Sequence, residues 1–128
     1  MKILKKVLLA MLVAVSLGAV STTVFAGGID ARTVYTPSAA IDLVLKKILD
    51  AQNAIETGED PEAVALKIQD ASNASKEINA NDKVDIARSR ANGTLRKAKG
   101  FAKKGDFQEA DAELRKAHKE FSDLKKLL

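Results

Sequence analysis

Lys103-Lys104-Gly105-Asp106-Phe107-Gln108-Glu109 stops one helix and starts another within a few residues. Two lysines suit the negative end of a helix dipole, and glycine takes the left-handed conformation that ends a helix. Asp106 is placed to N-cap the next helix, with Glu109 three residues on to complete a capping box. A near copy lies upstream at Thr57-Gly58-Glu59-Asp60-Pro61-Glu62. There glycine stops, aspartate caps, and proline occupies the first helical position, where its missing N–H costs nothing. The two turns predict two helical hairpins in tandem.

Apolar periodicity supplies the four helices. Thr36-Pro37 opens the first, with a stripe of Ile41, Val44, Ile48, Ala51 and Ile55 that Leu45 and Leu49 widen. Spacings of three and four place these residues on one helical face. The second runs from Pro61 to about Ile78 through Val64, Ile68, Ala71 and Ser75, with Leu66 off to one side. Asn79-Ala80-Asn81-Asp82 is the connection, because Asn both tolerates turns and caps helices. The third carries Val84, Ala87, Ala91, Leu95, Ala98 and Ala102, with Phe101 beside them, and Asn92-Gly93-Thr94 and Gly100 weaken it, with Gly93 the place where it would bend. The fourth has the most regular seam: Phe107, Ala110, Leu114, Ala117, Phe121, Leu124 and Leu128.

The hairpins superpose on each other. Ala51, Ile55 and Gly58 fall on Ala98, Ala102 and Gly105 with a shift of 47. Past the turn, Asp60, Val64, Ile68, Ala71 and Ile78 fall on Asp106, Ala110, Leu114, Ala117 and Leu124 with a shift of 46. One residue has been gained or lost in the turn of a duplicated hairpin. Similar helix lengths and short connections predict an all-α fold, an antiparallel up-down-up-down four-helix bundle made of two repeated hairpins.

Residues 1–26 read as a cleaved signal peptide: Lys2, Lys5 and Lys6, an apolar run from Val7 to about Val20, then Val24-Phe25-Ala26 as a cleavage site. A transmembrane anchor is the rival reading, but the run is short and ends in a polar Ser-Thr-Thr. Residues 27–36 read as a flexible leader and residues 37–128 as the bundle. The lysine-rich start and the absence of cysteine fit a periplasmic protein, with a secreted one as the alternative. The signal holds three of the 21 basic residues and no acid, so the mature chain carries 18 basic against 17 acidic residues. Residues 30–79 have a net charge of −4 and residues 80–128 one of +5. Such asymmetry favours docking of one hairpin on the other or of each on an outside partner.

Several chemistries are excluded. Both methionines lie in the signal and there is no cysteine, so Met/His haem and c-type haem attachment lack ligands. One histidine cannot supply the paired Glu-x-x-His of a di-iron bundle. No glycine-rich phosphate loop and no nucleophile–base pair is present, and the expectation is a protein that is not an enzyme. Nucleic acid is not expected, because no aromatics interleave with the basic residues. His118, with Asp111 two turns before it and a carboxylate such as Asp70 from another helix, is the candidate site for a divalent metal ion; no other cofactor is implied. Arg88, Arg96, Lys99 and Lys103 fall near one face of the third helix and form a candidate anion-binding patch, with Arg90, Lys97 and Lys104 following at intervals of seven. The bland alternatives are an ordinary half-exposed histidine and a solvated charged face.

Over most of residues 40–126 the chain resembles the small metal-binding proteins of the bacterial periplasm. The likeness lies in the export signal, the alanine-rich heptad-like helices, the glycine-stopped turns, and the segments Leu95-Arg96-Lys97-Ala98, Lys104-Gly105-Asp106 and Ala117-His118. It implies a helical bundle that binds metal through histidines flanking the heptads. Here lysine, arginine and acids fill those places, so metal binding carries over to His118 alone. The expected function is a non-enzymatic exported binding protein that takes up metal ions weakly in the periplasm. The alternative is a structural protein that pairs with a partner protein, an anionic surface or a second copy in a homodimer through its helical faces. No membrane span is expected after signal cleavage.

Overall fold

Three of the four helices start where a side chain caps the first turn. In the computed structural model, which describes residues 34–128, α1 spans Pro37–Glu56 and α2 Pro61–Ser75. α3 spans Asp82–Lys103, α4 Phe107–Asp123, and a 3₁₀ turn, Leu124–Leu127, finishes the chain. The expected signal peptide and most of the expected leader lie outside the described residues. Thr36 Oγ1 accepts the Ala39 N–H at 3.2 Å, Asp60 Oδ1 the Ala63 N–H at 2.8 Å, and Asn81 Oδ1 the Val84 N–H at 3.0 Å. Asn81 also donates through Nδ2 to the Leu127 carbonyl at 3.1 Å, tying the C-terminal turn to the start of α3.

The four helices form an all-α bundle. Each packs against two others: α1 against α2 and α4, and α3 against α2 and α4. Cross-helix bonds run in reverse chain order, Gln69 with Lys99 and Ser72 with Asn92 between α2 and α3. On α1, Gln52 meets Asp111 of α4 and Asp42 meets Lys125 of the C-terminal 3₁₀ turn. No helix among the described residues is long and apolar enough to cross a membrane.

The core follows the expected stripes. Ile41, Val44, Ile48, Val64, Ile68, Val84, Leu95, Leu114, Phe121 and Leu124 are all fully buried. Alanines at 51, 71, 91, 98, 102, 110 and 117 fill the rest of the seam. Ala40, Ala54, Ala65, Ala74 and Thr94, at the flanks of the stripes, are buried as well. Small residues there let the backbones approach closely. Leu49, expected to widen the α1 stripe, is 53% exposed, and Leu128, expected in the α4 seam, is 49% exposed. α3 is continuous through Gly93.

Two ends differ from the expected boundaries. α2 stops at Ser75, not near Ile78, yet Ile78 is buried. Lys76, Glu77 and Ile78 each donate to the carbonyl three residues back, at 3.0–3.2 Å. This tighter winding keeps Ile78 turned toward the core. α4 likewise tightens at Leu124, whose side chain stays buried.

The two glycine turns explain the one-residue shift between hairpins. Gly58 and Gly105 have φ of 77° and 80°, conformations that a Cβ penalises. Both begin the same helix stop. The Gly58 N–H bonds to Ile55 and the Glu59 N–H to Ala54; the Gly105 N–H bonds to Ala102 and the Asp106 N–H to Phe101. In the first turn Glu59 completes the stop, and Asp60 is left extended (φ −72°, ψ 161°) to cap α2. In the second, Asp106 must do both. It sits at φ −83°, ψ 69°, inside a tight bend closed by the Phe107 N–H and the Gly105 carbonyl at 2.9 Å. Its side chain makes no capping hydrogen bond. The capping box expected of Asp106 and Glu109 is not formed, because the missing residue takes the extended cap position with it.

Candidate functional site

Charge is distributed along α3 in one direction. Asp82 and Asp85 sit in its first turn, where the dipole favours anions. From Ile86 to Gly105 there is no carboxylate, while Arg88, Arg90, Arg96, Lys97, Lys99, Lys103 and Lys104 occur. The structure divides this set. Arg88 is half-buried, with Nη2 3.5 Å from Asp85 and a buried Nε that has no partner. Lys99 is half-buried and donates to Gln69 Oε1 at 2.5 Å, while Gln69 donates in turn to Asn73 at 2.9 Å. These two expected members of the patch are therefore held within the fold.

Arg96 and Lys103, the other two, are exposed, as are Arg90, Lys97 and Lys104. Among the described residues, none of these five is in an ion pair. Four of them surround Gly100. Arg96 and Lys97 lie at i−4 and i−3, and Lys103 and Lys104 at i+3 and i+4, the positions that adjoin on a helix surface. A Cβ at Gly100 would meet nothing within 4 Å. The centre of the cationic face is thus bare backbone. On its α4 side, Lys97, Gly100, Phe101, Lys104 and Glu113 line an open groove of about 430 Å³.

His118 and Asp111 lie on α4 near α1. His118 borders a shallow hollow with Leu49, Gln52 and Arg115. Asp111 accepts from Gln52 Nε2 at 3.1 Å and pairs with Arg115 Nε at 2.9 Å. Seven residues of helix separate Asp111 and His118 by about 10 Å along the axis. Asp70 is elsewhere, lining a small pocket with Lys47, Asp50 and Lys67 between α1 and α2. Among the described residues, no group of three or more histidine and carboxylate side chains is placed to hold a metal ion.

Other ion pairs are peripheral. Asp123 receives Lys119 Nζ at 3.1 Å and Lys126 Nζ at 3.2 Å, and these hydrogen bonds hold its carboxyl below the usual aspartate value. Lys125 of the C-terminal 3₁₀ turn bonds Asp42 of α1 at 2.5 Å. The sequence signal for the Gly100 seat was the spacing of four basic residues around one glycine. It is visible once α3 is known to run unbroken past both of its glycines.

The chain matches no protein-family model, and neither curated proteins nor solved structures yield a match.

Proposed function

We propose that this chain is a non-enzymatic, exported binding protein whose bundle presents the cationic face of α3 to an anionic partner in the periplasm. The observation that carries this reading is the cluster of Arg96, Lys97, Lys103 and Lys104, exposed and free of ion pairs among the described residues. Like charges this close repel one another, and an arriving anion relieves that repulsion. The lysine-headed apolar start of the chain supports export, and the reversed order of the cross-helix bonds supports an up-down-up-down bundle as the scaffold.

The test is fluorescence anisotropy of a labelled oligoglutamate peptide with the mature protein at low ionic strength. Paired Arg96→Glu and Lys103→Glu substitutions should weaken binding by more than about tenfold, since each reverses a charge at the contact. Matched reversals on the other hairpin, Lys46→Glu and Lys76→Glu, should change it far less. Equal effects from both pairs, or no binding at low salt, would remove the reading.

A divalent cation at His118 is the second reading, favoured by the half-buried imidazole beside an open hollow. Asp111 joins it only by giving up Arg115. Calorimetric titration of the mature protein with copper, nickel, zinc and calcium tests it. Heat that disappears in His118→Ala supports the site, and no heat above buffer removes it.

A further inference from the structure

We propose that the groove beside Gly100 holds a small zwitterion of the phosphoethanolamine class, with its phosphate over Gly100 and its ammonium on Glu113. The inference rests on the cationic-face reading and narrows it to a ligand class. Three observations support it. First, Arg96, Lys97, Lys103 and Lys104 encircle a position with no side chain, which leaves room for an oxyanion to approach the helix surface. Four cations suit a phosphate better than a single carboxylate.

Second, Glu113 stands in the opposite wall from α4, and its Oε2 is buried without a hydrogen-bond partner. No ion pair among the described residues joins Glu113 to a cation, although Lys97 and Lys104 line the same groove. A carboxylate in the groove wall that has no cation partner is matched by a ligand ammonium. A simple anion gains nothing from Glu113. Third, half-buried Phe101 lies between the lysines and gives the ligand's carbon chain an apolar wall and its ammonium an aromatic face.

The mature protein is titrated with O-phosphoethanolamine, methyl phosphate and ethanolamine, followed by NMR chemical shifts. O-phosphoethanolamine is expected to bind at least about tenfold more tightly than methyl phosphate, the value of a charge-assisted hydrogen bond. Glu113→Gln should erase that difference while methyl phosphate still binds. Gly100→Leu should abolish binding of both without lowering the melting temperature, because its Cβ meets nothing within 4 Å, the position is exposed and leucine favours helix. Vesicles with and without phosphatidylethanolamine identify the source: binding to these vesicles in place of the free compound marks a lipid head group. Equal affinity for methyl phosphate and O-phosphoethanolamine overturns the inference and leaves the cationic-face reading intact. So does binding of oligoglutamate with no binding of phosphoethanolamine in either form. Failure of oligoglutamate and phosphates alike overturns both.

Discussion

Replacing Gly105 and Gly93 by alanine, one at a time, should move stability in opposite directions. A Cβ at either site meets nothing within 4 Å, so neighbouring atoms contribute nothing to the difference. What differs is the backbone. Gly105 has φ of 80°, while Gly93 lies inside α3 and does not have positive φ. A left-handed residue bearing a Cβ costs about 1–2 kcal/mol. Part of this is offset because alanine also restricts the unfolded chain, by about 0.4–1 kcal/mol. The net for Gly105→Ala is a loss of about 1 kcal/mol. At Gly93 helix propensity acts alone, and alanine gains about 1 kcal/mol. For a domain of this size each kcal/mol moves the melting temperature by about 4–8 °C. The variants should therefore separate by roughly 8–16 °C, Gly93→Ala above the parent and Gly105→Ala below it. Thermal and urea melts followed by circular dichroism at 222 nm provide the assay, with the urea m-value expected to stay constant. A neutral or stabilising Gly105→Ala would refute the left-handed helix stop, and a destabilising Gly93→Ala would refute an unbroken α3.

Asp60→Ala should cost about 1 kcal/mol, the usual value of a lost N-cap, whereas Asp106→Ala should stay within about 0.5 kcal/mol because its side chain caps nothing; equal losses in urea melts would contradict the difference between the two turns. Phe121, the one fully buried aromatic among the described residues, should cost about 3–5 kcal/mol on change to alanine, a large part of the total for a small domain. A loss under about 1 kcal/mol would mean the core is not packed as described. Asp123 titrates below the ordinary value of 3.8 because Lys119 and Lys126 hydrogen-bond its carboxylate. The folded state then binds this proton less readily than the unfolded chain. Its stabilisation is present above the unfolded value and fades as pH falls through the lower folded one. Asp123→Asn should flatten that part of the acid limb, and an unchanged slope would show that the two lysines do not hold the carboxylate in solution.

Local signals and tertiary context divided the molecule between them. Gly58, Gly105 and the three-and-four spacings of Ile41 to Ile55 and Phe107 to Leu124 are local, and they placed the helices and most of the core. The failure of Asp106 as a cap depends on a single missing residue between glycine and aspartate. The repeat comparison exposed that gap, but its consequence lies in backbone geometry. Leu49 looked like core because it follows Leu45 by four residues, yet it lies about 100° around the helix from Ile48, beyond the edge of the buried stripe, and is left outside. Ile78 stayed buried past the helix end because the chain tightened into i to i−3 bonds, which periodicity alone does not distinguish from helix. In the candidate site, the basic residues of α3 were legible as a set. Which of them are free was not, because the bonds from Lys99 to Gln69 and from Arg88 to Asp85 depend on where neighbouring side chains lie. The role of Gly100 was hidden by its reading as a helix-weakening residue.

Mapping backbone amide shifts while titrating the mature protein with the acidic oligoglutamate peptide tests the cationic face of α3 most directly. The largest shifts should fall between Arg90 and Lys104 and collapse as salt screens the contact. Shifts centred on α1 and α2 or around His118, or no shifts at low ionic strength, would contradict it.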